Sequence, residues 1–314
     1  MARTAIIAFG GNALSPKGES GTIYQQFAHT RESLSAVMHF VELDYNLCLT
    51  HGNGPQVGDE LLRMELTHEA IAPLPLGVCV AGTQGTIGYM IQQSLQNALQ
   101  AADVDREVVT LVTQVVVDRD DPSIANPTKF IGRTYPEDQA RELAAKFNWT
   151  IREKNPGEWC QVVPSPHPKY IMHGKSMRAL VERGTIVLAA GGGGIPVFYE
   201  PDGRLEGLDA VIDKDLAAAL LGRIIHAEEL WIITDIDAVY LNYNKPDQVS
   251  VPRMTMPEAE NYLKAGHFQK GSMAPKIEAA LYFLSRFGEK VVITSIPNVA
   301  KAINGEAGTT IVKS

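Results

Sequence analysis

Short runs of apolar and β-branched residues alternate along the chain with longer segments in which apolar residues recur at helical spacing. The short runs are typical of buried strands, and the longer segments are typical of amphipathic helices. Strands are predicted at Ala5–Phe9, Leu47–Thr50, Val108–Val116, Ile186–Ala190, Glu229–Thr234 and Lys290–Thr294. Helices are predicted at Gln25–Val41, Gln56–Ala70, Gly85–Gln100, Pro136–Phe147, Met172–Arg183, Lys214–Leu221, Met256–Ala265 and Pro275–Phe287.

This alternation predicts an α/β fold with a largely parallel central sheet. Strands that are apolar throughout need cover on both faces, and the intervening helices supply it. Residues 118–168 interrupt the pattern with turn sequences such as Asp120-Asp121-Pro122. We therefore predict a first lobe at residues 1–225, which carries a small protruding lid subdomain at about 118–168, and a second lobe at 226–314.

Composition narrows the classes of function. The chain has 314 residues and a formal net charge of −8, with no long run of Lys or Arg, so nucleic acids and membrane surfaces are poor partners. No stretch of about twenty apolar residues predicts a membrane span. The three cysteines form no paired motif, which favours a reducing compartment, and we expect a cytoplasmic protein.

Three glycine-rich segments directly follow predicted strands. They are Gly10-Gly11-Asn12-Ala13, His51-Gly52-Asn53-Gly54-Pro55-Gln56-Val57-Gly58 and Gly191-Gly192-Gly193-Gly194-Ile195-Pro196. Because the carboxyl ends of parallel strands meet at one edge of a sheet, we expect these segments to converge. A single glycine pair is often only a tight turn, but three together favour an anion site, helped by a helix that begins near Pro55. Neither a Walker A loop nor a Rossmann fingerprint is present.

Three lysines in short, turn-rich contexts are the strongest candidates for chemistry. Lys214 lies between Asp213 and Asp215 at the start of a predicted helix, and Lys276 follows a proline in the first turn of another. A cation at the N-terminus of a helix opposes the helix dipole, and this placement is electrostatically unfavourable unless an anion is bound. Lys129 has weaker support, since a solvated surface lysine is the usual alternative. Asp215 is a candidate for fixing lysines through charge-assisted hydrogen bonds. Lysines beside glycine loops suggest phosphoryl transfer.

The segment from Thr234 to Tyr240 carries two carboxylates after a strand. These could bind a metal, or they could belong to an ordinary turn. We favour a third interpretation, in which the segment lines a nucleotide pocket and Tyr243 contacts a purine ring. The histidines form no spaced set of metal ligands, and no G-x-S-x-G motif supports acyl transfer by a serine.

The motifs closely resemble those of the carbamate kinase family, within the amino-acid kinase superfamily. The resemblance covers nearly the whole chain and includes the glycine segments above. Its most specific parts, in this order, are Asn126-Pro127-Thr128-Lys129, Asp213-Lys214-Asp215 and Gly271-Ser272-Met273-Ala274-Pro275-Lys276.

The resemblance implies an open αβα sandwich with a protruding lid, usually a homodimer, that forms ATP reversibly from ADP and carbamoyl phosphate with Mg²⁺. It implies that the transferred phosphoryl group and the carbamate are held by Gly10, Gly11, Asn12, Gly52, Asn53 and Gly54. Lys129 would reach in from the lid, whereas Lys214 and Lys276 would neutralise charge on the phosphates, with Asp215 holding these two lysines in place. The nucleotide would be framed by Thr234, Asp235, Tyr243, Met273 and Lys276 in residues 226–314, with Mg²⁺ held mainly by its phosphates rather than directly by the protein.

One stretch departs from the family pattern. Where the family typically has Gly-Arg-Gly-Trp-Arg-Arg or a close variant, this chain has Pro156-Gly157-Glu158-Trp159-Cys160-Gln161. Lys129, Lys214 and Lys276 are all present, but the change affects the residues on which substrate choice and lid closure would depend. A carbamate kinase is therefore the leading hypothesis. The alternatives are a sister kinase for another small carboxylate and a nucleotide-binding homologue without turnover.

Overall fold

The computed structural model describes residues 2–10, 21–269 and 271–314. Within them the strands are β1 (Thr4–Phe9), β2 (Asn46–His51), β3 (Val108–Thr110), β4 (Gln114–Val116), β5 (Lys129–Tyr135), β6 (Ile151–Asn155), β7 (Glu158–Val163), β8 (Tyr170–Ile171), β9 (Ile186–Leu188), β10 (Ile195–Tyr199), β11 (Leu205–Gly207), β12 (Glu229–Thr234), β13 (Val239–Leu241), β14 (Val249–Val251), β15 (Arg253–Thr255), β16 (Lys290–Ser295) and β17 (Thr309–Val312). The helices are α1 (Ile23–Glu42), α2 (Gly54–Thr67), α3 (Leu76–Ala101), α4 (Pro122–Ala125), α5 (Glu137–Phe147), α6 (Gly174–Glu182), α7 (Lys214–Ile225), α8 (Met256–Lys264), α9 (Met273–Arg286) and α10 (Val299–Ile303).

The central sheet has eight strands in the order β15-β17-β16-β12-β1-β2-β9-β3. All neighbouring pairs are parallel except β16 and β17, which are antiparallel. The predicted, largely parallel α/β sheet is therefore confirmed. The sheet joins strands from both ends of the chain, and the proposed division at residue 225 stays a prediction.

Helices cover both faces of this sheet, and β1 shows why. All six of its residues are buried. Ile6 and Ala8 belong to a core shared with α7 and α9, whereas Ala5, Ile7 and Phe9 belong to a core shared with α1 and α3. A strand whose alternate side chains enter two different cores has no polar face, and this explains its uninterrupted apolar sequence.

The predicted strand Val108–Val116 is in fact two strands in different sheets. β3 is an edge of the central sheet, while β4 lies in a four-stranded sheet of order β11-β10-β4-β8. Gln84 of α3 separates them, because its Oε1 accepts from the backbone N–H of Thr113 at 2.8 Å. The periodic apolar pattern does not reveal this buried side-chain contact.

Residues 129–163 fold separately into β5, α5, β6 and β7, and we call this unit the lid. Its strands form an antiparallel sheet of order β5-β7-β6. It packs on α2, where Gly58 and Gly132 approach so closely that a Cβ on Gly58 would lie 2.2 Å from the Cα of Gly132. Trp149 of the lid also donates to Glu65 Oε1 of α2 at 2.7 Å. Across the described ranges, no helix is both long and apolar enough to cross a membrane.

Candidate active site

Four parallel strands of the central sheet end at one edge, and a cavity of about 580 Å³ opens there. These strands are β1, β2, β12 and β16. Gly192 lines the cavity beside Gly10 and residues 52–54, so the predicted convergence of the three glycine segments is confirmed for the described residues. Among the residues that line the cavity are Gly10, Gly52, Asn53, Gly54, Lys129, Lys214, Asp215, Thr234, Asp235 and Lys276. Two further predicted residues, Gly11 and Asn12, lie outside the residues that the structure describes.

Asp215 holds two of the predicted lysines at once. Its Oδ1 accepts from the ammonium of Lys214, and its Oδ2 lies 2.9 Å from that of Lys276. Burial alone would raise the pKa of Asp215, but the two ammonium groups outweigh it and keep the pKa below its ordinary value. Each ammonium has three N–H donors and spends one on Asp215, so both lysines keep donors for a bound anion.

The two lysines differ electrostatically although they share a partner. Burial lowers the pKa of Lys214 below its ordinary value. The charge of Asp215 offsets this lowering only in part, and the charge of the neighbouring Lys276 lowers the pKa further. Burial also acts to lower the pKa of Lys276, but Asp215 outweighs it and raises the pKa above the ordinary value. A phosphate group bound between them would relieve the repulsion between the two ammonium groups, so the pair is suited to binding an anion.

Asp213 connects the lid to α7. Its Oδ1 caps the helix by accepting from the backbone N–H groups of Asp215 and Leu216, and its Oδ2 lies 2.7 Å from the ammonium of Lys129. Burial would raise the pKa of Asp213, but the charge and hydrogen bond of Lys129 outweigh it and hold the pKa well below the ordinary value. Sequence reasoning noted Asp213 only as a neighbour, although an Asp before a helix is a recognisable N-cap.

Gly191 and Gly192 allow close packing against the loop that follows β2. A Cβ on Gly191 would lie 2.3 Å from Nε2 of His51, and one on Gly192 would lie 2.2 Å from Nδ2 of Asn53. Gly192 also has φ +66°, which disfavours other residues. The segment therefore lets the loop after β2 sit close to the cavity, which Gly192 lines.

The backbone N–H groups of two glycines that were expected to bind an anion already donate to other strands. Gly10 donates its N–H to the carbonyl of Ile233 at 2.9 Å, and Gly52 donates to Phe9 at 3.0 Å. Strand pairing uses these amides, so they are not available to cradle an anion. The first turn of α2 provides the alternative, because it begins at Gly54 beside the cavity and the N–H groups of Gly54 and Gln56 have no intrahelical acceptors. Pro55 has no N–H, and Val57 already donates to the carbonyl of Asn53.

A second cavity of about 300 Å³ adjoins the first. Thr234, Asp235, Ser272 and Lys276 line both cavities. All the residues expected to frame a nucleotide line this second cavity: Thr234, Asp235, Tyr243, Met273 and Lys276. Tyr243 also packs against Tyr240, with ring centroids 6.0 Å apart. The structure thus places an aromatic, partly apolar pocket beside the lysine-lined one.

Several cavity residues were missed by sequence reasoning. Lys154 of the lid and Ser295, Ile296 and Pro297 at the end of β16 line the larger cavity. Ordinary apolar and loop residues at a strand end carry no chemical signature. For the part of the chain described, no group of three or more His, Cys, Asp or Glu side chains is arranged to hold a metal ion.

A family model described as "Amino acid kinase family" matches residues 3–295. The chain belongs to the amino acid kinase family. This assignment agrees with the geometry, in which four lysines line the cavity: Lys129, Lys154, Lys214 and Lys276.

Individual members of this family resemble the chain along its whole length. A carbamate kinase of Thermococcus kodakarensis is 42% identical, with 99% of both chains covered. The "Carbamate kinase-like protein YahI" of Escherichia coli is also 42% identical, with both chains covered completely. A solved structure of carbamate kinase from Giardia lamblia bound to AMP-PNP is 38% identical with a TM-score of 0.90, covering 100% of this amino acid kinase and 99% of that chain.

Proposed function

We propose that this protein is a carbamate kinase, which transfers a phosphoryl group reversibly between carbamoyl phosphate and ADP to give ATP and carbamate. The observation that carries the proposal is the pair of lysines, Lys214 and Lys276, fixed by one carboxylate in a cavity at the strand ends. Full-length similarity to carbamate kinases supports the choice of substrate.

In this reaction a terminal oxygen of ADP attacks the phosphorus, and the bond from phosphorus to the carbamate oxygen breaks. Carbamate leaves as an anion, so its departure requires no proton from the protein. The work of the protein is positioning and neutralising charge. We assign this neutralisation to Lys214 and Lys276, with Lys129 approaching from the lid and Asp215 orienting the first two. The loop at Gly10 and residues 52–54 would shape the acceptor side.

The nucleotide would occupy the smaller cavity, with its base near Tyr243 and Met273 and its phosphates directed toward Lys276, which lines both cavities. Mg²⁺ would enter with the nucleotide, held mainly by phosphate oxygens, since the described residues offer no ready-made cluster of ligands. When bound, the ion neutralises phosphate charge.

We also propose that the protein forms a homodimer. Tyr24 of α1 and Tyr89 of α3 are exposed aromatic residues on helices that touch through Phe27 and Tyr89, whose ring centroids lie 5.7 Å apart, and aromatic residues are enriched at protein interfaces. Sedimentation equilibrium tests this assembly, and a mass near the 34.2 kDa of one chain at micromolar concentration would contradict it.

A sister kinase for another small carboxylate is the second candidate, and the tip of the lid favours it. At the three positions where the family typically has arginine, the structure has Gly157 at φ +77° and the buried Cys160 and Gln161. These residues leave that part of the lid without its usual positive charge.

A panel of acyl phosphates separates the two candidates. ATP formation from ADP and Mg²⁺ would be measured with carbamoyl phosphate, acetyl phosphate and other small acyl phosphates. The proposal predicts the highest kcat/KM with carbamoyl phosphate. A higher value with another acyl phosphate would establish the sister kinase, and ADP binding without turnover of any of them would indicate a non-catalytic homologue.

A further inference from the structure

We propose that Lys154, at the tip of the lid, binds the phosphoryl group of the acyl phosphate, an inference that rests on the proposed function. Lys154 lines the larger cavity together with Lys129, Lys214 and Lys276. It is exposed and comes from β6, so it faces the phosphate site from a different element than the other three lysines.

A β-bulge accounts for the direction of this side chain. Glu153 of β6 pairs with Trp159 and Asn155 pairs with Glu158, so β6 advances two residues while β7 advances one. Lys154 is the extra residue, without a partner in the ladder. Bulges redirect side chains at the rims of binding sites, and here the redirected side chain is the one that lines the cavity.

The charge of Lys154 is also available in a way that the other three are not. Lys129 pairs with Asp213, and Lys214 and Lys276 pair with Asp215. Across the described residues, Lys154 has no ion-pair partner and lies 5.6 Å from the ring centroid of Phe130. This contact is weak at an exposed site, so a phosphate dianion would displace it without first competing with a carboxylate.

The two neighbouring residues at the tip indicate which substrate Lys154 meets. Lys154 lines the larger cavity and Asn155 lines the smaller one, where the nucleotide is proposed to bind. Lys154 therefore contacts the acyl phosphate on the acceptor side, while the nucleotide lies beside Asn155. This positive charge is supplied by β6, three residues before the uncharged Gly157.

The test compares Lys154→Met and Lys154→Arg with Lys146→Met, which removes an exposed lysine of α5 in the same lid that lines neither cavity. We expect Lys154→Met to raise the KM for carbamoyl phosphate about tenfold, as for a lost charge-assisted hydrogen bond, with little change in kcat or in the KM for ADP. Lys154→Arg should restore most of the affinity, and Lys146→Met should match the wild type. An unchanged KM in Lys154→Met, or an equal rise in the KM for ADP, overturns the inference.

A binding measurement separates failure of this inference from failure of the proposed function. Phosphonoacetamide, an inert analogue of carbamoyl phosphate, is titrated calorimetrically into the ADP-loaded protein. If the wild type does not turn over but binds the analogue, the proposed function fails, and about tenfold weaker binding by Lys154→Met still supports a phosphate-binding Lys154. Equal binding by both proteins, or no binding by the wild type, overturns it.

Discussion

The ammonium of Lys129 lies 2.7 Å from Oδ2 of Asp213, and this contact ties the lid to the N-terminus of α7. We predict that Asp213→Asn loosens the lid, because asparagine preserves the helix cap but removes the ion pair. Both partners are partly exposed, so the loss is about 1 kcal/mol. Amide exchange in residues 129–163 should accelerate about fivefold, measured by mass spectrometry, and kcat/KM should fall.

The control for this variant is Asp202→Asn. Asp202 forms an exposed ion pair with Arg204, away from the lid. In Asp202→Asn, amide exchange in residues 129–163 should proceed at the wild-type rate. If Asp213→Asn also leaves exchange in the lid unchanged, the contact between Asp213 and Lys129 does not hold the lid.

A second prediction concerns the contact between the lid and α2. In Gly58→Ala the new Cβ would meet the backbone of Gly132, which must shift. Overpacking of this kind costs about 1–3 kcal/mol, and the gain in helix propensity offsets at most about 1 kcal/mol. We expect lower stability in urea and a lower kcat, because Lys129 lies in the displaced strand β5.

Gly82→Ala is the matched control, since Gly82 lies inside α3 and a Cβ there meets nothing within 4 Å. It should stabilise the protein by up to about 1 kcal/mol without altering kcat. Equal stability and equal kcat in the two variants would show that the close approach of Gly58 and Gly132 has no mechanical role.

Local sequence patterns predicted several elements of the fold and part of the candidate site. The β12 strand, Glu229–Thr234, and the start of α7 at Lys214 were predicted correctly, because a continuous apolar run and helical spacing of apolar residues are local signals. The role of Asp215 was anticipated from its position beside Lys214. The resemblance also implied that Asp215 holds Lys276, 61 residues further along, and the structure shows this contact.

Features that depend on side-chain contacts or on strand register were not predictable. The break between β3 and β4 arises from Gln84, and the cavity position of Lys154 arises from a bulge in β6. Neither leaves a periodic signal in the sequence. The amides of Gly10 and Gly52 also required the structure, because strand register decides whether a glycine N–H pairs with a neighbouring strand or faces a ligand.

A third prediction concerns acid stability. Burial lowers the pKa of His51 to about 4. An unfolded histidine has a pKa of about 6.5, so between these values the unfolded chain binds a proton that the folded chain does not. This contribution to stability is fully present above pH 6.5 and is lost as the pH falls toward 4. The free energy of unfolding should drop by about 2 kcal/mol between pH 7.5 and 5.

His51→Gln tests the origin of this pH dependence, with urea unfolding at several pH values as the measurement. The lowered pKa values of Asp213 and Asp215 act only below about pH 4, where free carboxyl groups take up protons, so they do not obscure the window. The variant should show a clearly smaller loss between pH 7.5 and 5. An identical loss would assign the acid sensitivity to other groups.

The role of Lys214 in the proposed kinase reaction is tested most directly by the kcat for ATP formation from ADP, Mg²⁺ and carbamoyl phosphate in Lys214→Met. The matched control is Lys175→Met, which removes an exposed lysine of α6 outside both cavities. If Lys214 neutralises charge in the transition state, its loss should lower kcat at least about a hundredfold, while Lys175→Met matches the wild type. A kcat in Lys214→Met within about threefold of the wild type, with only the KM raised, would contradict that role.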